Sequence, residues 1–359
     1  MMIYIRYYIF LILLAFSTSC SQKQNIDLQF RSLVDSTYQQ INLSEPKTLL
    51  LGEISHPFSI MAVDTFLVFQ EPEKSCCLYC YNTNNYLFVD SILQKGDQLN
   101  DIPQNGVQII QYGLSNDRSP IFLLRSSAPH IARLNLENYK SNMERSDVVY
   151  DKKYQFDKEN FDIFSEAGNI YMLSDSTFLI RKDMEASGKY DEGFTTTYWE
   201  KYNFYTNEVT ERYYEHKYNP RDILKYSFYN SSYSKIKPDK TKLALFPRGL
   251  ENFSIFNLTT NFRTDIQLKE NGFDIGYAVE HRREEIHYAI AVTDDFIFSL
   301  RKDGTGKDYI LVYDWEGSPL YRLSLDRSIN SFDVQENTKR LYAISDEYEV
   351  LVYDLGSIL

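Results

Sequence analysis

A short hydrophobic phrase recurs along this chain: an apolar strand that ends in an aromatic residue, then Asp or Asn, then a turn. It is clearest as Leu351-Val352-Tyr353-Asp354-Leu355 and Leu311-Val312-Tyr313-Asp314-Trp315, and it returns as Ser254-Ile255-Phe256-Asn257. Looser versions are Leu78-Tyr79-Cys80-Tyr81-Asn82, Ile131-Ala132-Arg133-Leu134-Asn135 and Tyr202-Asn203-Phe204-Tyr205-Thr206. Aligned at positions 81, 134, 205, 256, 313 and 353, the phrases are spaced by 53, 71, 51, 57 and 40 residues. Repetition on that scale marks stacked sheet units, none of which can bury its own apolar face alone.

An apolar companion precedes each phrase, at residues 65–69, 120–124, 177–180, 242–246, 295–299 and 340–344. Turn formers and charges separate the two, as in the run from Arg301 to Asp308, so each pair reads as a hairpin. Two segments, Tyr233 to Lys242 and Ser331 to Arg340, lead a polar turn into the companion strand and resemble one another. Each unit is therefore an antiparallel meander. The expectation is an all-β fold, a single β-propeller of six to seven four-stranded blades occupying residues 27–359. Six phrases give six blades; a seventh has two sources. One is the segment Tyr38 to Leu43 joined to the carboxy-terminal strands, which would close the ring and remove exposed sheet edges. The other is the long step between positions 134 and 205. Val209 to Tyr233, dense in Tyr and charge, reads as an outer strand and a long surface loop. Thirty tyrosines and 23 phenylalanines suit half-buried strands.

The first residues carry Arg6 and then the apolar run Tyr7 to Phe16, the pattern of an export signal and too short for a comfortable membrane span. Ser17-Thr18-Ser19-Cys20 follows, and it resembles a lipoprotein cleavage site with Ser17 where Leu is usual. The reading is a signal peptide over residues 1–19 and a lipidated tether over 20–26, with Cys20 as the acylated residue. Removing residues 1–19 takes away Arg6 and no acid, so the formal charge of −12 becomes −13. So acidic a surface repels phosphate backbones, which excludes nucleic acid as the expected partner. Membrane attachment is expected through the lipid anchor only, on an exported monomer held at the outer membrane and facing the periplasm.

The signal with its cysteine, the unit spanning Asp333-Val334, Leu341-Tyr342-Ala343-Ile344 and Val350 to Leu355, and the turn Gln94-Lys95-Gly96-Asp97 resemble propeller lipoproteins of the Bacteroidetes type. The resemblance is to the family built on domain of unknown function 4221. It implies the fold and an envelope location, and it carries over no catalytic residue.

Chemistry is sparsely signalled. Gly-x-Ser-x-Gly, His-Glu-x-x-His, phosphate loops and dinucleotide fingerprints are missing from the sequence. Beyond Cys20 stand Cys76, Cys77 and Cys80; strand alternation puts Cys76, Leu78 and Cys80 on one face, where burial as small hydrophobes is expected. No metal and no cofactor is expected. His281 and His287 flank a charged run and read as surface or loop histidines. Propellers gather ligands on loops at the channel mouth, so His56, Asp64, Arg118, Asp175, Arg248 and Asp294 are the candidate ligand-binding positions. The leading functional reading is a binding or scaffold module for a protein or glycan of the cell envelope, with no catalytic residue assigned. The rival is a carbohydrate hydrolase or lyase with its site at the channel mouth.

Overall fold

The computed structural model describes residues 27–34, 36–71, 76–94, 108–114, 120–125, 130–136, 152–155, 169–184, 195–218, 232–270, 286–302, 308–356 and 358–359. Its elements are strands. Three short ones come first, β1 (Asp27–Ser32), β2 (Gln39–Leu43) and β3 (Lys47–Leu49). Six antiparallel meanders follow. Blade one is β4 (Ser59–Val63), β5 (Phe66–Gln70), β6 (Cys76–Asn82) and β7 (Phe88–Gln94). Blade two is β8 (Gln108–Leu114), β9 (Pro120–Arg125), β10 (His130–Asn135) and β11 (Lys152–Gln155). Blade three is β12 (Ile170–Met172), β13 (Thr177–Met184), β14 (Thr195–Asn203) and β15 (Glu208–Tyr218). Blade four is β16 (Ser232–Ile236), β17 (Lys242–Pro247), β18 (Asn252–Asn257) and β19 (Phe262–Gln267). Blade five is β20 (Ala289–Val292), β21 (Phe296–Lys302), β22 (Asp308–Asp314) and β23 (Pro319–Leu325). Blade six has three strands of its own, β24 (Ile329–Gln335), β25 (Arg340–Ser345) and β26 (Val350–Asp354).

The recurring phrase is the third strand of each blade, and its companion is the second. Second strands are apolar at successive positions because both of their faces are covered. In β5, Phe66 and Val68 pack with Phe122 of blade two, while Leu67 and Phe69 pack with Tyr342 and Ile344 of blade six. The same split recurs around the ring. Ile121 and Leu123 meet Phe178 and Ile180; Leu179 meets Leu243 and Leu245; Ala244 and Phe246 meet Ile297; Phe298 and Leu300 meet Leu341 and Ala343. Period-two alternation thus sends odd and even residues into two different cores. Six such cores, one per blade junction, form a closed cycle among the described residues.

The amino-terminal strands complete it. β3 pairs antiparallel with β26, Leu49 opposite Val350, and supplies the fourth strand of blade six. β1 and β2 add fifth strands in parallel to the outer edges of blades four and five, Asp27 opposite Phe262 and Gln39 opposite Tyr321. The chain start therefore runs along three successive blades before blade one begins. Closure falls on residues 47–49, while Tyr38 to Leu43 belongs to the blade-five edge and to no seventh blade. The long step between positions 134 and 205 holds β11 to β14, whose strands of eight and nine residues in blade three take up length without adding a unit. β15 is the expected outer strand, and the loop beyond it lies outside the described residues.

Neighbouring blades also meet at turns. Gly317 has φ of 78°, and a Cβ there would sit 2.9 Å from Ile266 Cδ1 of blade four, so this turn requires glycine twice over.

Leu49 is 7% exposed against the core shared by blades six and one, whereas the adjacent Leu50 is 96% exposed. Leu49→Ala should lower unfolding free energy by about 2–4 kcal/mol. Leu50→Ala should stay within about 0.5 kcal/mol of wild type. Urea titration of both variants checks the closure.

Candidate functional site

The six inner strands, β4, β8, β12, β16, β20 and β24, bound an axial cavity of about 540 Å³ at the end where they turn into the second strands. All six blades contribute to its wall, among them Asp64, Tyr112, Tyr171, Lys235, Thr293 and Asp333. Inner strands converge on an axis where a cavity stands in place of an apolar core. Their channel-side backbone edges need other partners.

Side chains from neighbouring blades provide them. Asp333 Oδ2 in blade six accepts the Ala62 N–H of blade one at 2.8 Å. Gln111 Oε1 in blade two accepts the Met172 N–H of blade three at 2.6 Å, and Tyr171 Oη donates to the Ser234 carbonyl of blade four at 2.7 Å. Glu336 Oε2 accepts the Asp294 N–H at 3.2 Å, and Gln335 Nε2 donates to the Asp64 carbonyl.

One chain of bonds crosses the axis. Lys235 Nζ donates to Tyr112 Oη at 2.9 Å and stands 4.1 Å from that ring's centroid. The Tyr112 hydroxyl donates in turn to the Asp333 carboxylate. Blades four, two, six and one are joined through three side chains. Burial raises the Asp333 carboxyl above its ordinary range, opposed by Lys235, the Ala62 N–H and Tyr112. Burial lowers the Lys235 ammonium, opposed by Asp333, and holds the Tyr112 phenol well up. At the rim, Lys237 and Lys240 stand on the β16–β17 hairpin, with Asp64, Asp294 and Glu336 on other blades. Lys237 pairs with Asp239 at 2.5 Å. Burial pulls Lys240 down and pushes Glu336 up, the latter reinforced by the charges of Asp294 and Asp295.

Of the expected binding positions, the structure brings Asp64 and Asp294 to this cavity. Asp175 lies on the same face of the ring, exposed and paired with Arg133 at 2.7 Å. His56 and Arg248 lie on the opposite face. The His56 amide donates to Glu71 Oε1 at 2.9 Å and its ring meets Tyr348 edge-on. The Arg248 carbonyl accepts the Ile286 N–H at 2.6 Å, and its guanidinium covers the Tyr233 ring at 4.8 Å. Arg118 and Cys20 lie outside the described residues. Lys235, Tyr112 and Asp333 were not among the sequence candidates. A signal existed for two of them: Ile236 and Val334 each pair with the first apolar residue of the second strand, and Lys235 and Asp333 precede them at equivalent places. A charge at that inward position of a buried strand has to be explained.

His287 corrects the surface reading given to it. It is fully buried between blades four and five, with Nδ1 2.8 Å from Ser299 Oγ and Nε2 3.1 Å from the Leu250 carbonyl. The carbonyl must accept, so Nε2 carries the proton and Nδ1 accepts from the serine. Ser299 and Arg301 continue the β21 face that Ile297 begins, which makes this junction polar at one end. Arg301 and Lys269 both pair with Glu251 there. Burial, followed by the Arg301 charge, lowers His287 to about 3, and Arg301 and Lys269 overcome burial to bring Glu251 down to about 2.

Fold and cavity together define a six-bladed β-propeller with a polar axial site. Residues 34–337 match the family described as TolB-like 6-blade propeller-like, and the chain belongs to that family. Among solved structures it is similar to the β-propeller domain of Myceliophteria thermophila Cps50 (Swd1), at 8% identity and a TM-score of 0.47, covering 86% of this chain and 99% of that one. No curated protein matches the sequence.

Asp333→Ala leaves the Ala62 N–H without its acceptor and removes the negative charge that opposes the burial of Lys235, and should cost about 1–3 kcal/mol by denaturant titration. Asp333→Asn, which keeps an acceptor, should cost less. His287 has a folded value below its unfolded 6.5, so its contribution is complete above about pH 6.5 and is lost as pH falls toward 3. Between pH 7 and pH 5 this loss amounts to about 2 kcal/mol. Glu251, lowered from 4.5, adds its own loss only at more acid pH. Thermal unfolding of His287→Gln should lack the pH 7 to 5 decline that the wild type shows.

Proposed function

We propose that this protein is an envelope-anchored propeller lipoprotein, of the Bacteroidetes type built on domain of unknown function 4221, that recognises a protein or glycan ligand at its axial cavity. The observation that carries the reading is the meeting of six blades at one polar cavity floored by Lys235, Tyr112 and Asp333. A ring of blades holds such a floor rigidly, and its volume lies within the roughly 300–1,000 Å³ of small-ligand sites. Residues 1–19 direct export, Cys20 carries the lipid, and residues 20–26 tether a monomeric ring to the periplasmic face of the outer membrane.

One observation favours the enzymatic alternative, a carbohydrate hydrolase or lyase. Asp333 and Glu336 face the same cavity and both hold their protons more tightly than ordinary carboxyls.

Full-length wild-type protein and Lys235→Met are compared on a glycan array and in envelope pull-downs, with product analysis of any captured glycan. The expected result is specific capture by wild type, reduced about fivefold or more in the variant, with the glycan recovered intact. Cleaved glycan favours the alternative, and blank arrays with no specific protein contradict recognition. Cys20→Ala should move the protein from the membrane to the soluble fraction.

A further inference from the structure

The polar groups at the cavity floor differ in how much capacity they have left. Asp333 already accepts from the Ala62 and Val334 N–H groups and the Tyr112 hydroxyl, three of the roughly four sites a carboxylate has. The Tyr112 hydroxyl both donates and accepts. Lys235 has three N–H donors and one acceptor, Tyr112 Oη, among the described residues. What the floor offers a ligand is therefore donors on a cation. Lys237 and Lys240 extend the same wall toward the mouth.

The other walls differ. Asn169, Thr293 and Asn337 are neutral groups that donate and accept, and Asp64 and Asp294 are acceptors at the rim. A bare inorganic anion would satisfy Lys235 and be repelled by those acids. A simple ammonium ligand would meet Lys235 as a like charge. One carboxylate attached to several hydroxyls answers both walls, because hydroxyls donate to Asp64 and Asp294 and exchange bonds with the amides. The bonded chain from Lys235 to Ala62 joins blades four, two, six and one across the floor, so a polymer is expected to enter by its end.

Resting on the recognition reading above, we infer that the axial cavity takes a terminal uronic acid residue, its carboxylate on Lys235 and its hydroxyls on the walls of blades three, five, six and one. The charge-assisted bond to Lys235 sets the preference for acid over ester.

Isothermal titration of the full-length protein in detergent tests this, with galacturonic acid, glucuronic acid and digalacturonate set against their methyl esters, galactose, glucose and glycylglycine. The acids should bind about tenfold or more tighter than the esters. Lys235→Met should bring acid and ester to parity. Lys237→Ala combined with Lys240→Ala should weaken acid binding about threefold and leave ester binding alone, which carries the test if the Met variant melts early. The inference is overturned if esters bind as well as acids, or if the preference survives Lys235→Met. Binding of neutral sugars or the dipeptide without uronates overturns it while leaving recognition at the cavity standing. Silence from every probe overturns it too, and the array and pull-down then decide on recognition separately.

Discussion

Each second strand of this ring is apolar on both of its faces, and a sheet built around such a strand has to be covered twice. In β25 the residues Leu341, Tyr342, Ala343 and Ile344 are all essentially inaccessible to water, split between the junctions with blades five and one. Each fully buried Leu or Ile side chain among them contributes about 1.5–3 kcal/mol. A row of blades would leave its first and last members with one apolar face in water. The cycle leaves none uncovered, and the amino-terminal strand β3 ties the chain start into the carboxy-terminal blade that closes it. Fold stability is thus held in common by the whole chain, with the first described residues laid along blades four, five and six.

The same geometry creates the site. Apolar packing fills the blade junctions at the level of the second and third strands, but six inner strands arriving at one axis present backbone edges to a shared space. Asp333, Gln111, Tyr171, Glu336 and Gln335 each bind backbone of an adjoining blade there. Polar side chains demanded by edge satisfaction help make the cavity polar, and one of them, Asp333, joins Tyr112 and Lys235 in bridging it. Structural demand and ligand capacity arise from one cause. Lys235 is where they part, since its bond to Tyr112 uses a single donor.

Much of the fold was legible because it repeats. Tyr353, Tyr313 and Phe256 sit in third strands whose phrase is local in sequence, and each companion strand lies one hairpin away. The choice of six blades over seven was not legible, because it rests on pairing between Leu49 and Val350, which are remote in sequence. The cavity was harder still. Its floor draws one residue from each of several blades, and nothing in the neighbourhood of Tyr112 announces Lys235 or Asp333. Asp64 and Asp294, chosen as loop residues beside inner strands, line the cavity, whereas His56, ahead of β4, and Arg248, in the β17–β18 turn, lie on the opposite face. His287 was misread because the charged run preceding it suggested a solvated loop, while its ring bonds Ser299 within blade five and reaches the Leu250 carbonyl of blade four across the junction.

Amide hydrogen exchange measured segment by segment tests the closed ring most directly. If β3 is an integral strand of blade six, those amides of residues 47–49 that donate to β26 exchange in the same slow class as the amides of Val350 to Val352, both opening only with global unfolding. Fast exchange at every amide of residues 47–49 beside full protection of β26 would show that the amino-terminal strand does not complete blade six, and closure of the ring through it would be contradicted.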